Sequence, residues 1–362
     1  MKWLIVAGGT GGHLMPGIAL AEEILSEGEE VLFTAGNRNI ERIILKNRPF
    51  RVEHLEVEGF LGRSLKDKLR ALKKLIFSSI KAYKVIKTYN PQVILAEGGY
   101  VSVPVVLAGW LLRKKMALHE QNLIPGKANL LLSKFVDKIF ISFPESKDYF
   151  PKEKSVVFSG NPVRKELLQD KERVHHGIGL LVLGGSLGAR FLNQLMLEIV
   201  EELFNVYPQL FLIHQTGLED YEEVKRAYEN LKIWEKYSHQ IKIFPFIEDM
   251  GWAYRQADLV IGRAGATTIA EIIALKKPAI FIPFPYATYK HQEKNAEILV
   301  KLGGALMFKQ EEFDKVKFLE KLIHLLGDKD KLKQMSRAYE GVYRLSPQRV
   351  ILEEMRKIVR GD

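Results

Sequence analysis

The segment LIVAGGTGGHLMPGIALAEEI (Leu4–Ile24) decides the predicted fold of the first half of the chain. An apolar run typical of a buried strand ends at two glycines, and a helical pattern follows Pro16. The segment LLVLGGSLGAR (Leu180–Arg190) repeats this order of strand, glycine turn and helix in the second half. Two such units, each opening a similar half, predict one parallel-sheet domain in each half.

Short apolar runs alternate with stretches of helical spacing along the rest of the chain. Examples are Val31–Ala35, Val93–Ala96, Leu210–His214 and Leu259–Ile261. The alternation is typical of βαβ units, so we predict an α/β protein of two Rossmann-like, doubly wound domains. The Asn–Pro pair within SGNPVRKE (Ser159–Glu166) marks the boundary. The predicted domains are residues 1–160 and 161–345, followed by a C-terminal helix within 346–362.

Composition limits the classes of function. The 362 residues are 47% hydrophobic, carry a net charge of +10 and include no cysteine. Disulfides, thiolate metal sites and a cysteine nucleophile are therefore excluded, and an anionic partner is favoured. The longest apolar stretch, Val101–Leu112, is shorter than the roughly 20 residues of a membrane span. Because we also recognise no signal peptide, we expect a cytoplasmic protein.

The first glycine turn matches neither common nucleotide-binding fingerprint. Counted from Gly9, the pattern G-x-G-x-x-G requires glycine where the chain has Leu14, and the P-loop requires lysine where it has His13. Glycines at a helix start still allow an anion to approach backbone N–H groups closely. We therefore predict an anion-binding turn without a nicotinamide or Walker-type assignment.

A second constellation lies in DLVIGRAGATTIAEIIALKKPAIFIPFP (Asp258–Pro285). A strand ends at Gly262, and a helix rich in small residues follows, whose first turn would offer N–H groups and hydroxyls to a diphosphate. Glu271, one turn further on, is placed to accept hydrogen bonds from both hydroxyls of a ribose. The alternative is a solvated glutamate near a helix start, where the helix dipole favours a negative charge.

Eight short motifs occur in one order along the chain and carry a resemblance to a known family. They are GGTGGHLMP (Gly8–Pro16), EGGYVSVP (Glu97–Pro104), HEQN (His119–Asn122), GNPVR (Gly160–Arg164), GGSLGAR (Gly184–Arg190), FIEDM (Phe246–Met250), RAGATTIAE (Arg263–Glu271) and HQEKNA (His291–Ala296). With them the chain resembles the bacterial glycosyltransferases that add N-acetylglucosamine to lipid I and form lipid II for peptidoglycan. The resemblance implies a GT-B architecture, with a cleft between the two domains, and an inverting, metal-independent transfer from UDP-N-acetylglucosamine.

The same resemblance implies specific roles. The first domain would bind the acceptor and face the membrane, the second would bind the UDP-sugar, and the C-terminal helix would cross back to the first. The implied donor contacts are Thr10, Gly11, Gly12, Asn122, Arg164, Ser186, Ile247, Ala266, Thr267, Thr268, Ile269, Ala270, Glu271, His291 and Gln292. The implied contacts to the acceptor diphosphate are Gly98, Gly99 and Tyr100. No cofactor is implied.

Inversion by one displacement needs a base for the acceptor hydroxyl. His13 is the first candidate, because a histidine titrates near neutral pH and this one follows the glycine turn. Its alternative role is to cap or pack the helix start. Glu120 is the rival base, or a residue that positions His13 or the acceptor.

A basic segment, LKDKLRALKKLIFSSIKAYKVIK (Leu65–Lys87), predicts a helix that docks on an anionic inner-membrane surface. Helical spacing assigns Leu65, Leu69, Leu72, Ile76, Ile80 and Tyr83 to the core. Lys73, Lys74, Leu75 and Phe77 would then face the membrane. A solvated helix face is the alternative. We find no module for nucleic-acid binding, so none is expected.

The sequence offers little for a metal. The DKD of Asp328–Asp330 is best interpreted as a helix start, and we expect no metal site. Two other functions stay open: a soluble UDP-N-acetylglucosamine 2-epimerase-like enzyme, and a non-catalytic nucleotide-sugar binder. An epimerase would not need the EGGYVS turn, and a binder would tolerate loss of His13 and Glu120.

Overall fold

The structure is a computed structural model that describes residues 1–9, 11–58, 64–185, 188–342 and 346–361, without the side chains of Leu65, Lys68 and Thr288. Two predicted donor contacts, Thr10 and Ser186, lie outside the described residues.

The regular elements follow the predicted alternation. The strands are β1 (Lys2–Val6), β2 (Glu30–Ala35), β3 (Arg51–His54), β4 (Val93–Ala96), β5 (Lys115–Glu120), β6 (Lys138–Ile141), β7 (Ser155–Phe158), β8 (Gly179–Leu183), β9 (Phe211–Gln215), β10 (Ile241–Phe244), β11 (Leu259–Gly262), β12 (Ala279–Phe281) and β13 (Ala305–Met307). The helices are α1 (Gly11–Ser26), α2 (Asn39–Leu45), α3 (Leu65–Tyr89), α4 (Ser102–Leu111), α5 (Lys127–Leu132), α6 (Lys165–Leu168), α7 (Arg190–Val206), α8 (Tyr221–Glu229), α9 (Trp234–Tyr237), α10 (Met250–Gln256), α11 (Ala266–Leu275), α12 (His291–Leu302), α13 (Lys315–Gly327), α14 (Lys329–Arg337) and α15 (Pro347–Arg360).

The strands of the described residues form two parallel sheets, which confirms the predicted pair of Rossmann-like domains. Their orders are β3-β2-β1-β4-β5-β6-β7 and β10-β9-β8-β11-β12-β13. The central strands β4 and β8 are buried along their whole length, as expected of parallel strands covered on both faces. The direction in which successive strands are added to the sheet reverses between β1 and β4, and again between β8 and β11. Open α/β sheets bind ligands at such points, outside the carboxyl ends of the strands.

The chain divides into two compact units. The first comprises Met1–Arg164 together with the segment that carries α15, and the second begins at Lys165. This boundary falls four residues after the predicted one, and Val163 in the intervening segment contacts α15. Gln348 donates a hydrogen bond to the carbonyl oxygen of Val163 (2.5 Å), and α15 also contacts α1 and β5.

The helix α3 buries a different face from the one predicted. The large apolar side chains assigned to the core are exposed, from 38% for Tyr83 to 63% for Leu69, so that assignment is wrong for every member whose side chain is described. The buried positions are Ala71, Ser78, Ala82 and Ile86. Three of these residues are small, which lets α3 pack closely against α4.

Candidate active site

The carboxyl ends of β1, β4 and β5, which are neighbours in the first sheet, bring several predicted residues together. His13 lies in the first turn of α1, after Gly11 and Gly12. Its ring is half-buried, and Nδ1 lies 2.7 Å from Oε1 of Gln121, the residue that follows β5. His13 therefore faces the ends of the neighbouring strands from its own helix start.

A second glycine turn lies directly against the first. Gly98 and Gly99 have φ angles of +96° and +77°, which side chains other than glycine rarely adopt. A Cβ atom on Gly99 would lie 2.6 Å from the carbonyl oxygen of Gly8 and 3.5 Å from Cδ2 of His13. Tyr100 follows with its side chain about one-third exposed. The predicted acceptor turn and His13 are thus in contact range.

The first glycine turn already holds a carboxylate of the protein. The amide of Gly9 donates to Oε1 of Glu41 (2.6 Å), and the amide of Arg38 donates to Oε2 of the same side chain (2.8 Å). Glu41 is buried. An anionic substrate at this turn would have to use other donors than the Gly9 amide.

Glu120 is fully buried and its carboxylate accepts four hydrogen bonds. Oε1 accepts from the amide and the side chain of Asn122 (2.9 and 3.2 Å). Oε2 accepts from Asn129 Nδ2 (2.8 Å) and from the amide of Gly126 (3.2 Å). Such a carboxylate organises the loop after β5, and it also fixes Asn122, a predicted donor contact.

A buried polar network behind His13 was not assigned in the sequence analysis. Gln121 Nε2 donates to the backbone oxygen and to Oε2 of Glu97, both at 2.8 Å. The same Oε2 lies 2.7 Å from Nδ1 of His119. All three side chains are buried. These residues lie within the motifs EGGYVSVP and HEQN, which was the only indication in the sequence. Their mutual contacts depend on the pairing of β4 with β5.

In the second unit, the predicted donor residues cluster at the start of α11, beside the carboxyl end of β8. The helix begins at Ala266 after Gly265, with no side-chain cap. Thr267, Thr268 and Ala270 are half-buried, whereas Ala266 and Ile269 are buried. The side chain of Ile269 therefore supports the helix, and the two threonine side chains are the more accessible groups.

Glu271 is not a solvated glutamate. Its side chain is only 6% exposed, and Oε2 accepts a hydrogen bond from the hydroxyl of Tyr254 on α10 (2.9 Å). This removes the alternative interpretation, in which the carboxylate merely faces water near a helix start. Tyr254 was missed from the sequence, because nothing in its local pattern separates it from a core tyrosine.

Three further predicted donor contacts of the second unit are Ile247, His291 and Gln292. The amide of the buried Ile247 donates to Oε1 of Gln215 (3.0 Å), so a donor contact through this amide would have to displace Gln215. Gln292 Oε1 accepts from the amide of Phe284 (2.9 Å). His291, the first residue of α12, is half-buried.

Two arginines lie in the motifs GNPVR and RAGATTIAE. Arg164 is 4% exposed and belongs to the first unit. Arg263, which was not predicted as a site residue, donates to the carbonyl oxygens of Ile282 (2.8 Å) and Pro283 (2.9 Å). Burial lowers the pKa of its guanidinium to about 10. Arg263 thus fixes the loop after β12.

No described helix is both long and apolar enough to cross a membrane. The described residues also contain no group of three or more histidine or acidic side chains that could hold a metal ion.

Comparisons with known proteins match both halves of the chain. The N-terminal domain model of glycosyltransferase family 28 matches residues 3–141, and the C-terminal domain model matches residues 179–350. The UDP-N-acetylglucosamine–N-acetylmuramyl-(pentapeptide) pyrophosphoryl-undecaprenol N-acetylglucosamine transferase of Geobacter metallireducens is 39% identical, with 98% of each chain covered. The protein of the same name from Myxococcus xanthus is 41% identical over 93% of this chain and 88% of that relative.

Solved structures share the fold. The crystal structure of Acinetobacter baumannii MurG matches with a TM-score of 0.71 and 27% identity, covering 98% of this chain and 99% of that one. A putative UDP-N-acetylglucosamine 2-epimerase from Listeria monocytogenes matches with a TM-score of 0.73 but 15% identity, covering 100% and 97%. At that identity the second likeness concerns the fold alone.

Proposed function

We propose the function of this protein from one premise: the chain belongs to the family of UDP-N-acetylglucosamine–N-acetylmuramyl-(pentapeptide) pyrophosphoryl-undecaprenol N-acetylglucosamine transferases. It transfers N-acetylglucosamine from UDP-N-acetylglucosamine to lipid I, the undecaprenyl-diphosphate-linked N-acetylmuramyl pentapeptide, and forms lipid II. The observation that carries this proposal is the contact between the His13 turn and the Gly98–Gly99 turn, which puts a base beside a group of backbone donors.

In the proposed reaction, configuration inverts in one displacement. The acceptor hydroxyl oxygen bonds to the anomeric carbon, the bond from that carbon to the diphosphate oxygen breaks with its electron pair, and the hydroxyl proton passes to His13. Glu120 is the weaker candidate for the base, because its carboxylate is fully buried and accepts four hydrogen bonds. Its role is to hold Asn122 and the loop after β5.

We assign the donor to the second unit. The first turn of α11 and the hydroxyls of Thr267 and Thr268 would bind the diphosphate, since a helix N-terminus stabilises the negative charge that develops on the leaving group. Glu271 would accept hydrogen bonds from the ribose hydroxyls. Transfer is expected to persist in excess EDTA. Loss of activity in EDTA, with rescue by magnesium or manganese, would contradict this account of the leaving group.

The first unit would also bind the cytoplasmic face of the membrane. On α3, Phe77 is 72% exposed and Lys73 is exposed, whereas Leu75 is half-buried and Lys74 forms an ion pair with Glu58 (2.6 Å). Leu69, Leu72, Ile76 and Ile80 on the same helix are also exposed, as are Trp110 and Leu111 on α4. An apolar face flanked by lysines suits an anionic lipid surface.

One assay tests the proposal against its alternatives. The protein is incubated with labelled UDP-N-acetylglucosamine, with and without a lipid I analogue. Transfer that requires the acceptor supports the proposal. Conversion of the sugar without an acceptor would favour an epimerase, and binding without turnover would favour a nucleotide-sugar binder.

The His13→Ala variant tests the base. We expect kcat to fall by about 10²–10⁴, the usual contribution of general-base catalysis, with little change in UDP affinity. If the variant instead binds UDP poorly and keeps its kcat, His13 belongs to the donor site or to the fold.

A further inference from the structure

The orientation of the Gln121 carboxamide is determined by its partners. Its Nε2 atom lies 2.8 Å from the backbone oxygen of Glu97 and 3.2 Å from the backbone oxygen of His119. Backbone oxygens only accept hydrogen bonds, so this atom must be the NH2 group. The other terminal atom, Oε1, therefore faces His13.

This orientation determines the tautomer of His13. Oε1 of Gln121 lies 2.7 Å from Nδ1 of His13, and an amide oxygen can only accept. Nδ1 must therefore carry a hydrogen and donate it. In a neutral imidazole the other nitrogen, Nε2, then has a free lone pair and no hydrogen.

We infer that Gln121 is a positioning residue that holds His13 in the Nδ1–H tautomer and leaves Nε2 as the atom that removes the acceptor proton. This inference rests on the proposed role of His13 as the base. Gln121 follows β5 and Glu97 follows β4, so the paired strands set the distance between the amide and the His13 ring.

The support for Gln121 is rigid. Gln121, Glu97 and His119 are buried, and Nε2 of His119 lies 3.1 Å from both the backbone oxygen of Gly160 and Oγ of Ser142. Rotation of the Gln121 amide would place its oxygen against the oxygens of Glu97, which also only accept hydrogen bonds. Leaving buried polar groups without partners is costly, so the network disfavours that rotation.

The chemistry also explains an amide at this position. A carboxylate against Nδ1 would stabilise the imidazolium form, in which neither ring nitrogen can accept the proton of the acceptor hydroxyl. The titratable groups on the neighbouring strand ends are Glu97, His119 and Glu120, and the described contacts place the neutral amide of Gln121 next to the ring. The amide orients the ring without adding a charge to it.

The first test is nuclear magnetic resonance of the full chain labelled with ¹⁵N-histidine, with His13→Ala used to assign the signals. At a pH where the ring is neutral, we expect Nδ1 of His13 to be the protonated nitrogen and Nε2 the unprotonated one. The reverse tautomer would overturn the inference. This measurement needs no variant of Gln121, so it can be made even if the Gln121 variants fail to fold.

The second test compares Gln121→Met, which keeps the length but removes the acceptor, with Gln121→Glu, which keeps an acceptor and adds a charge. For Gln121→Met we expect kcat to fall about 10- to 100-fold, within the range of general-base catalysis, with the donor KM nearly unchanged. We also measure kcat as a function of pH. For Gln121→Glu we expect the decrease of kcat on the acid side to occur at a higher pH than in the wild type.

The matched control is Gln334→Met, at an exposed position of α14, which should change neither the His13 signals nor kcat. If Gln121→Met leaves both the His13 tautomer and kcat unchanged, Gln121 has no positioning role. Full activity of His13→Ala would instead contradict the proposed role of His13 as the base, while the tautomer measurement would still report on Gln121.

Discussion

Gly99 and Gly8 lie backbone to backbone: a Cβ atom on Gly99 would be 2.6 Å from the carbonyl oxygen of Gly8. Gly99 follows β4 and Gly8 follows β1. These two strands are distant in sequence but are paired in the sheet. Their contact brings the predicted acceptor turn to the helix that carries His13. The candidate site of the first unit therefore depends on two residues that have no side chain to clash.

The Gly99→Ala variant should damage both stability and catalysis. The left-handed φ of +77° costs an alanine about 1–2 kcal/mol, and the clash with Gly8 adds to that cost. The control is Gly28→Ala, since Gly28 has the same φ of +77° but nothing within 4 Å of its Cβ position. Denaturant unfolding and kcat are measured for both. Equal effects of the two variants would show that the contact with Gly8 is unimportant.

The pair of Glu271 and Tyr254 should determine donor affinity. Glu271→Ala removes hydrogen bonds from a charged acceptor, so UDP binding should weaken by about 1.5–3 kcal/mol. Tyr254→Phe removes only the hydroxyl that orients the carboxylate (2.9 Å) and leaves the charged acceptor in place, so UDP binding should weaken less than in Glu271→Ala. Isothermal titration with UDP and TDP measures both. A wild-type protein that binds TDP, which lacks the 2′-hydroxyl, as well as UDP would remove Glu271 from the ribose site.

The face of α3 should govern binding to anionic vesicles. Phe77→Ser is expected to weaken sedimentation with such vesicles, while a water-soluble lipid I analogue still reacts nearly normally. Val316→Ser is the control, because Val316 is 63% exposed but lies in the second unit. Lys73→Glu should weaken binding more than Lys74→Glu, since Lys74 is already paired with Glu58 (2.6 Å). If the Phe77 and Val316 variants behave alike, α3 is not the docking face.

The sequence predicts the strands and the two sheets well, because buried parallel strands are continuous apolar runs between glycine turns. It predicts the buried face of α3 poorly. Periodicity reveals an apolar stripe, but it does not reveal that small residues such as Ala71 and Ala82 form the contact while large ones such as Leu69 face outward.

The candidate site shows the same division. Glu271 could be chosen from its motif as a candidate, because it lies one turn after a helix start, and its burial is consistent with more than a solvated role. The hydrogen bonds to the Glu120 carboxylate could not be predicted from the sequence. Their donors Gly126 and Asn129 come from a loop and a helix whose positions depend on the fold. The orientation of Gln121 likewise depends on acceptors from two strands.

Lys277 should make stability depend on pH in the alkaline range. Its ammonium group donates to the carbonyl oxygen of Ala257 (2.7 Å), and burial lowers its pKa from 10.5 to about 8, partly offset by Asp258. Below pH 8 the folded and unfolded chains both carry this proton, and the penalty for burying the charge is present in full. Between pH 8 and 10.5 the unfolded chain binds more protons, so the contribution of Lys277 to the free energy of unfolding rises with pH.

The Lys277→Met variant isolates this contribution, since it keeps most of the buried side chain and removes the charge. The difference in free energy of unfolding, wild type minus variant, should increase between pH 8 and 10 and stay flat between pH 6 and 7.5, because only the wild type has the titrating group. Urea unfolding at each pH measures it, with Lys232→Met at an exposed position as the control. A difference that falls with rising pH, or stays constant, would show that Lys277 keeps its proton in the folded protein at least as readily as in the unfolded chain.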